Sequence, residues 1–173
     1  ICIIACSDAS HGGEDEWLDE WQEREAFRSQ GAKLIFISDT AILDSGEAQV
    51  HLVSFSSTIQ KRVVSSTMKA ESYQLTDVVE AADLIRAAIA DAHGQLDHKQ
   101  WEASAASWCK SQWLTDCKSC ADGLHKPVAR GIDKRLGIEL ASLRQYLWRH
   151  RLQDIPDRRL LECLPEPEHR TDL

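Results

Sequence analysis

The chain opens on an uninterrupted apolar run, Ile1-Cys2-Ile3-Ile4-Ala5-Cys6, which stops at Ser7-Asp8. A short run with no polar alternation suits a strand buried on both faces, and such strands lie inside α/β sheets rather than at their margins. The acid that ends it then stands where the chain leaves the sheet, and the crevice past the strand ends is where ligands bind in open α/β folds. The run is too short for a membrane span or for the core of a signal peptide, and no other segment approaches the roughly 18 apolar residues that a span needs. The first residue is Ile, so the chain reads as a piece of a longer polypeptide.

His11-Gly12-Gly13 is a loop signal. Residues 14–30 are acidic and helix-prone, with Trp17, Leu18, Trp21 and Phe27 as a partial apolar stripe, and read as a helical insertion or a long connection. Lys33 to Ile37 reads as a second strand, Asp44-Ser45-Gly46 as a turn, and Val50 to Phe55 as a third strand, giving an antiparallel meander. A long helix is expected from Ser65-Ser66-Thr67, whose hydroxyls can cap it, to about Ala92, before His93-Gly94. Met68, Leu75, Val78, Val79, Ala82, Ile85 and Ile89 recur at steps of three and four and define its buried stripe. Glu71 falls on that stripe, where a carboxylate is costly unless it is paired or holds a metal.

Ser107 to Thr115, with Trp108, Cys109, Trp113 and Leu114, reads as another strand, ending at Asp116. A short helix over 118–124, a break at Pro127 and a long helix over 132–151 follow. Leu160 to Leu164 is a last short strand, and a polar tail begins near 165. The whole of 1–173 is expected to be one α/β domain: a mixed five-stranded sheet, three antiparallel strands and then two more, with helices on both faces.

Six cysteines without a secretory signal indicate a reduced compartment. Cys117 and Cys120 form a CxxC, but no second pair supplies the other two ligands of a structural zinc site, and small packed side chains are the better reading. Formal charge is -8, from 28 acids and 20 bases, which argues against a simple basic nucleic-acid-binding domain. The charge is uneven. Residues 1–59 carry eleven acids and three bases, whereas 126–159 carry nine bases and four acids. That basic segment can track a phosphate backbone or form a solvated helix face.

Three acids stand out: Asp8 after the first strand, Glu71 on the helix stripe, and Asp116 after the fourth strand. Carboxylates converging past the strand ends repel one another unless cations neutralise them, and oxygen-only donors suit Mg2+ or Mn2+. A carboxylate cluster holding two such ions is the apparatus for displacement at phosphorus.

This order of strands, helix and acids resembles the ribonuclease H fold. Cys6-Ser7-Asp8-Ala9 is similar to the S-D-A that opens the ribonuclease H region of copia-type LTR retrotransposon polyproteins. The stretch from Gln60-Lys61-Arg62 through Ser65-Ser66-Thr67 to Ala70-Glu71 resembles that family's K-x-x-x-x-S-S-T-x-A-E segment, also seen with the spacing R-S-T-x-x-A-E, and Thr115-Asp116-Cys117-Lys118-Ser119 resembles its D-N-x-S. Asp133 to Glu139 occupies the place of its R-T-K-H-I-D-I segment. Cys117 stands where the family has Asn, and the family's fourth acid, in an A-D-x-L-T-K motif, has no counterpart before Leu173.

The resemblance implies a metal-dependent endonuclease cleaving the RNA strand of RNA–DNA hybrids during reverse transcription. Asp8, Glu71 and Asp116 would be its catalytic metal ligands, and two Mg2+ ions are expected, with Mn2+ able to substitute. Glu139 is the candidate additional acid. Ser10, Ser66, Ser119, Lys126, Arg130, Arg144 and Arg149 are candidate nucleic-acid contacts, and His125 and His150 candidate proton-transfer groups. The implied partner is the reverse transcriptase region of the same polyprotein. The implied location is intracellular and cytoplasmic, in retrotransposon particles, with no membrane association. Two alternatives stand beside this: a non-catalytic, degenerate or truncated module of the same fold, and another two-metal nuclease or strand-transfer enzyme of the same superfamily.

Overall fold

The computed structural model describes residues 1–10, 29–61, 64–125, 133–151 and 161–163, with backbone alone for 149–151 and 161–163. The expected insertion as far as residue 28, the tail from 165, and Lys126 and Arg130 lie outside the described residues. So do the side chains of Arg149 and His150.

The apolar opening run becomes β1 (Cys2–Ser10), the central strand. Cys2, Ile3, Ile4 and Ala5 are each no more than 4% exposed, as a strand covered on both faces requires. β2 (Gln30–Ser38) pairs antiparallel with β1 from Cys2↔Ser38 to Ser10↔Gln30, and β3 (Val50–Ile59) pairs antiparallel with β2. Between them lie a one-turn helix, α1 (Ile42–Ser45), and Gly46, whose left-handed φ of 73° closes the expected turn. The long helix α2 (Thr67–Ala92) follows, then α3 (Trp101–Trp108), β4 (Lys110–Thr115), α4 (Lys118–His125), α5 (Lys134–Arg151) and β5 (Leu161–Cys163). β4 lies parallel to β1 and β5 parallel to β4, so the sheet order is β3-β2-β1-β4-β5.

One face of the sheet, with Ile3, Ala5, Ile35 and Trp113, meets Leu75, Val78, Val79 and Ala82 of α2 in the main core. Cys120 and Leu124 of α4 and Leu136, Leu140, Leu143 and Leu147 of α5 complete it. Cys120 is thus a packed core residue whose thiol lies 3.6 Å from the Ser72 hydroxyl.

Three sequence expectations need correction. Residues 107 and 108 do not begin a strand; they end α3, and Cys109 is the extended residue that turns the chain into β4. Asp8 does not terminate β1. Pairing with β2 carries that strand on to Ser10, and only the pairing with β4 stops near Asp8. β3 runs four residues beyond Phe55, because β2 offers partners as far as Gln30↔Ile59.

Gly31 of β2 lies directly against the Gln74 side chain of α2. A Cβ at this position would lie 1.8 Å from Oε1 and 2.5 Å from Cδ of Gln74, a buried side chain. Gly31→Ala should therefore cost about 1 kcal/mol in urea unfolding, because the new methyl group must displace the end of the Gln74 side chain from its place against β2. Adding Gln74→Ala should cancel most of the Gly31→Ala increment. An undiminished increment would place the strain elsewhere.

Candidate metal centre

β1 and β4 run parallel up to Ser7↔Thr115, so the next residues, Asp8 and Asp116, leave the last paired rung side by side. α2 crosses the same sheet, and its capped first turns bring Glu71 down to β1. Ser66 caps the helix by accepting from the Lys69 N–H at 3.3 Å. Ala9 lies beyond the last β1–β4 pair, and its N–H donates to Glu71 Oε1 at 3.1 Å. Ala9, Val64 and Ala70, with Tyr73 against them, form a small apolar cluster beside this contact. One carboxylate oxygen from each of Asp8, Glu71 and Asp116 lies within 4.8 Å of the others. Glu71 is buried and the two aspartates are exposed, so the group has an anchored base and an open rim.

The electrostatics follow from that placement. Burial pushes the Glu71 carboxyl up from 4.5 to about 7, the Ala9 N–H opposes the rise, and the negative charges of Asp116 and Asp8 add to it. Glu71 Oε2 is buried with no hydrogen-bond partner among the described residues. Such an oxygen needs either a proton or a cation, and three oxygen donors at this separation suit a hard divalent ion.

The metal-free folded chain should thus hold a proton on Glu71 that the unfolded chain releases between pH 4.5 and 7. Stability from this source is complete below pH 4.5 and is lost as pH rises through about 7. In chelator, Glu71→Gln should match the parent at pH 5 and exceed it by roughly 2 kcal/mol at pH 8. Urea unfolding at the two pH values measures this. An equal difference at both would mean that Glu71 does not carry the proton.

The other candidates disperse. Ser10 is the exposed last residue of β1, and Ser66 already serves as the α2 cap. Ser119 is exposed in the first turn of α4, its hydroxyl 3.3 Å from the Cys117 thiol. His125 is exposed at the end of α4.

Glu139 does not join the three acids. α5 packs along α2, and Glu139 Oε2 accepts from Thr76 Oγ1 at 3.5 Å, more than a turn past Glu71. Arg144 does not point outward as a free phosphate contact. Its Nε donates to the Leu124 carbonyl at 3.2 Å and its Nη2 to the Gly123 carbonyl, so the fork closes the C-terminal end of α4. The Ala9 N–H was not legible as part of the site, because any residue there supplies the same backbone donor. Lys69, paired with Asp133 at 3.2 Å, ties the start of α2 to the start of α5. Nothing in its sequence context singles it out.

No protein-family model and no curated protein matches the chain. Among solved structures it is similar to LC11-RNase H1, isolated from compost by a metagenomic approach, with a TM-score of 0.51 and 12% identity. The match covers 95% of this chain and 84% of that one. At that identity the likeness is one of fold, and the fold of this chain is ribonuclease H-like. None of the described helices is long and apolar enough to cross a membrane.

Proposed function

We propose that the chain is a metal-dependent endonuclease of the ribonuclease H type, cutting the RNA strand of RNA–DNA hybrids. The observation that carries this reading is the set of three carboxylates within 4.8 Å, built on β1, α2 and the end of β4 of a ribonuclease H-like fold. The donors fit the expected ions: all are oxygens, and one buried oxygen of Glu71 has no other partner. Asp8, Glu71 and Asp116 would hold two Mg2+ ions, or Mn2+ in their place. Bound there, such ions supply Lewis acidity for activating water and neutralising charge at the scissile phosphate.

The chain's own part is positioning. Glu71, held by the Ala9 N–H, keeps one carboxylate oriented from below. Asp8 and Asp116 stand at the open rim, where a nucleic-acid backbone can reach them. Ser10 at the end of β1, Ser66 at the cap of α2 and Ser119 in the first turn of α4 are the proposed contacts to 2′-hydroxyls and phosphates. Lys126, Arg130 and Arg149 are the proposed basic contacts to the same backbone. The resemblance of Ser7-Asp8-Ala9 and of the Ser65–Glu71 stretch to copia-type elements supports a role in reverse transcription. The reverse transcriptase region of the same polyprotein would be the partner, and cytoplasmic retrotransposon particles the location.

A divalent-metal titration with hybrid, duplex DNA and duplex RNA tests the proposal. Hybrid cleavage in Mg2+ or Mn2+, with both duplexes left whole, is the expected result. Cleavage of duplex DNA would favour another two-metal nuclease, and hybrid binding without cleavage in either metal would favour a non-catalytic module.

A further inference from the structure

Among the described residues β3 is an outer strand of the sheet, and from Val50 to Ile59 it holds no Lys, Arg, Asp, Glu or Pro. Those are residues with which edge strands are often blunted, because an open edge offers its N–H and C=O groups to another chain; β3 has instead one irregularity, at Val53, where the β2 register shifts, and regular pairing with β2 on either side of it. The side chains are open as well: Phe55 is 73% exposed and Leu52 51%. Leu34, opposite Phe55 on β2, is 41% exposed and continues the apolar surface inward. An edge of this kind takes up extended backbone.

The charges at the two ends of β3 select which backbone. Glu47 precedes the strand and Lys61 follows it, and both are exposed. When two copies of β3 pair antiparallel, each Lys61 falls near Glu47 of the other copy; parallel pairing would set like beside like. Between these ends no charge of Lys, Arg, Asp or Glu opposes another, whatever the register. Elsewhere the net charge of -8 disfavours contact between copies. The antiparallel arrangement is two-fold symmetric and uses the single β3 edge of each copy, so it closes at two. A ten-residue strand pair with apolar side chains from both copies buries on the order of 1,000 Å², the lower end of specific interfaces.

We propose that β3 is a homodimerisation edge. Two copies join antiparallel along Val50–Ile59 into one continuous sheet, with a Lys61–Glu47 pair at each end. Sedimentation velocity of the 173-residue chain at pH 7.5, from about 1 to 300 µM, should show a monomer–dimer equilibrium with a micromolar midpoint. Phe55→Lys should remove the dimer. Glu47→Lys should weaken it at least about fivefold, and Glu47→Lys combined with Lys61→Glu should restore it. Amide exchange at 50–59 should slow on passing from the monomer to the dimer range. All three positions are exposed, so circular dichroism and melting temperature should match the parent in every variant. A chain that stays monomeric, one that grows past the dimer, or a dimer indifferent to Phe55→Lys or without slowed exchange at 50–59 would overturn the proposal.

Discussion

Asp116→Asn is expected to lower hybrid cleavage by about a thousandfold or more, equivalent to roughly 4 kcal/mol of barrier, while the fold and hybrid binding persist. The amide keeps the shape of the carboxylate and removes the charge. Asp116 leaves the last β1–β4 rung beside Asp8, and the cluster has only three carboxylates among the described residues, so none can cover for another. Stability should not fall. Asp116 is exposed and its charge raises the Glu71 pKa, so the neutral amide relieves a repulsion. Single-turnover cleavage in Mg2+, hybrid anisotropy and thermal melting together test the substitution. Cleavage at the parent rate would remove Asp116 from the metal centre; lost cleavage with a lowered melting temperature would make its role structural.

Arg86→Ala, outside the candidate metal centre, should cost about 3–5 kcal/mol. Arg86 is 2% exposed in the middle of α2. Nη1 donates to Asp83 at 2.7 Å, while Nε and Nη2 donate to the Cys109 carbonyl at 3.0 and 2.7 Å. The side chain thus joins α2 to the residue that turns α3 into β4. Truncation leaves the Cys109 carbonyl without these donors and removes Asp83's cationic partner inside the protein. Arg86 is fifteen residues along the helix from Glu71, about 22 Å. Cleavage per folded molecule should therefore be unchanged. Urea unfolding measures the loss, and a cost below about 1 kcal/mol would mean that the rest of the interface carries the junction.

Much of the fold was legible because it rests on local periodicity. The run at Ile1–Cys6 identified the central strand, and the stripe from Met68 to Ile89 outlined α2 to within three residues. The same stripe placed Glu71 on the inward side, where the structure has it. Arg86 falls on that stripe too, at the spacing of Val79, Ala82 and Ala90, and a buried guanidinium was the signal passed over. α3 was missed because Gln100 offers no side-chain cap and Ser104 to Ser107 are small residues that suit either state.

The sequence by itself determined the order of the strands and of the two long helices, and the three acids, since strand runs, helix stripes and a carboxylate on an apolar face are properties of neighbouring residues. Only the tertiary structure decided which polar groups meet. Glu139 and Arg144 have the charges expected of an extra ligand and a phosphate contact. The packing of α5 along α2 and α4 sets one beside the Thr76 hydroxyl, away from the three acids, and commits the other to the carbonyls of Gly123 and Leu124. The Ala9 N–H joins Glu71 because β4 stops pairing two residues earlier along β1. Hydrogen bonds across 62 residues of chain depend on where whole elements come to rest, and no local pattern encodes them.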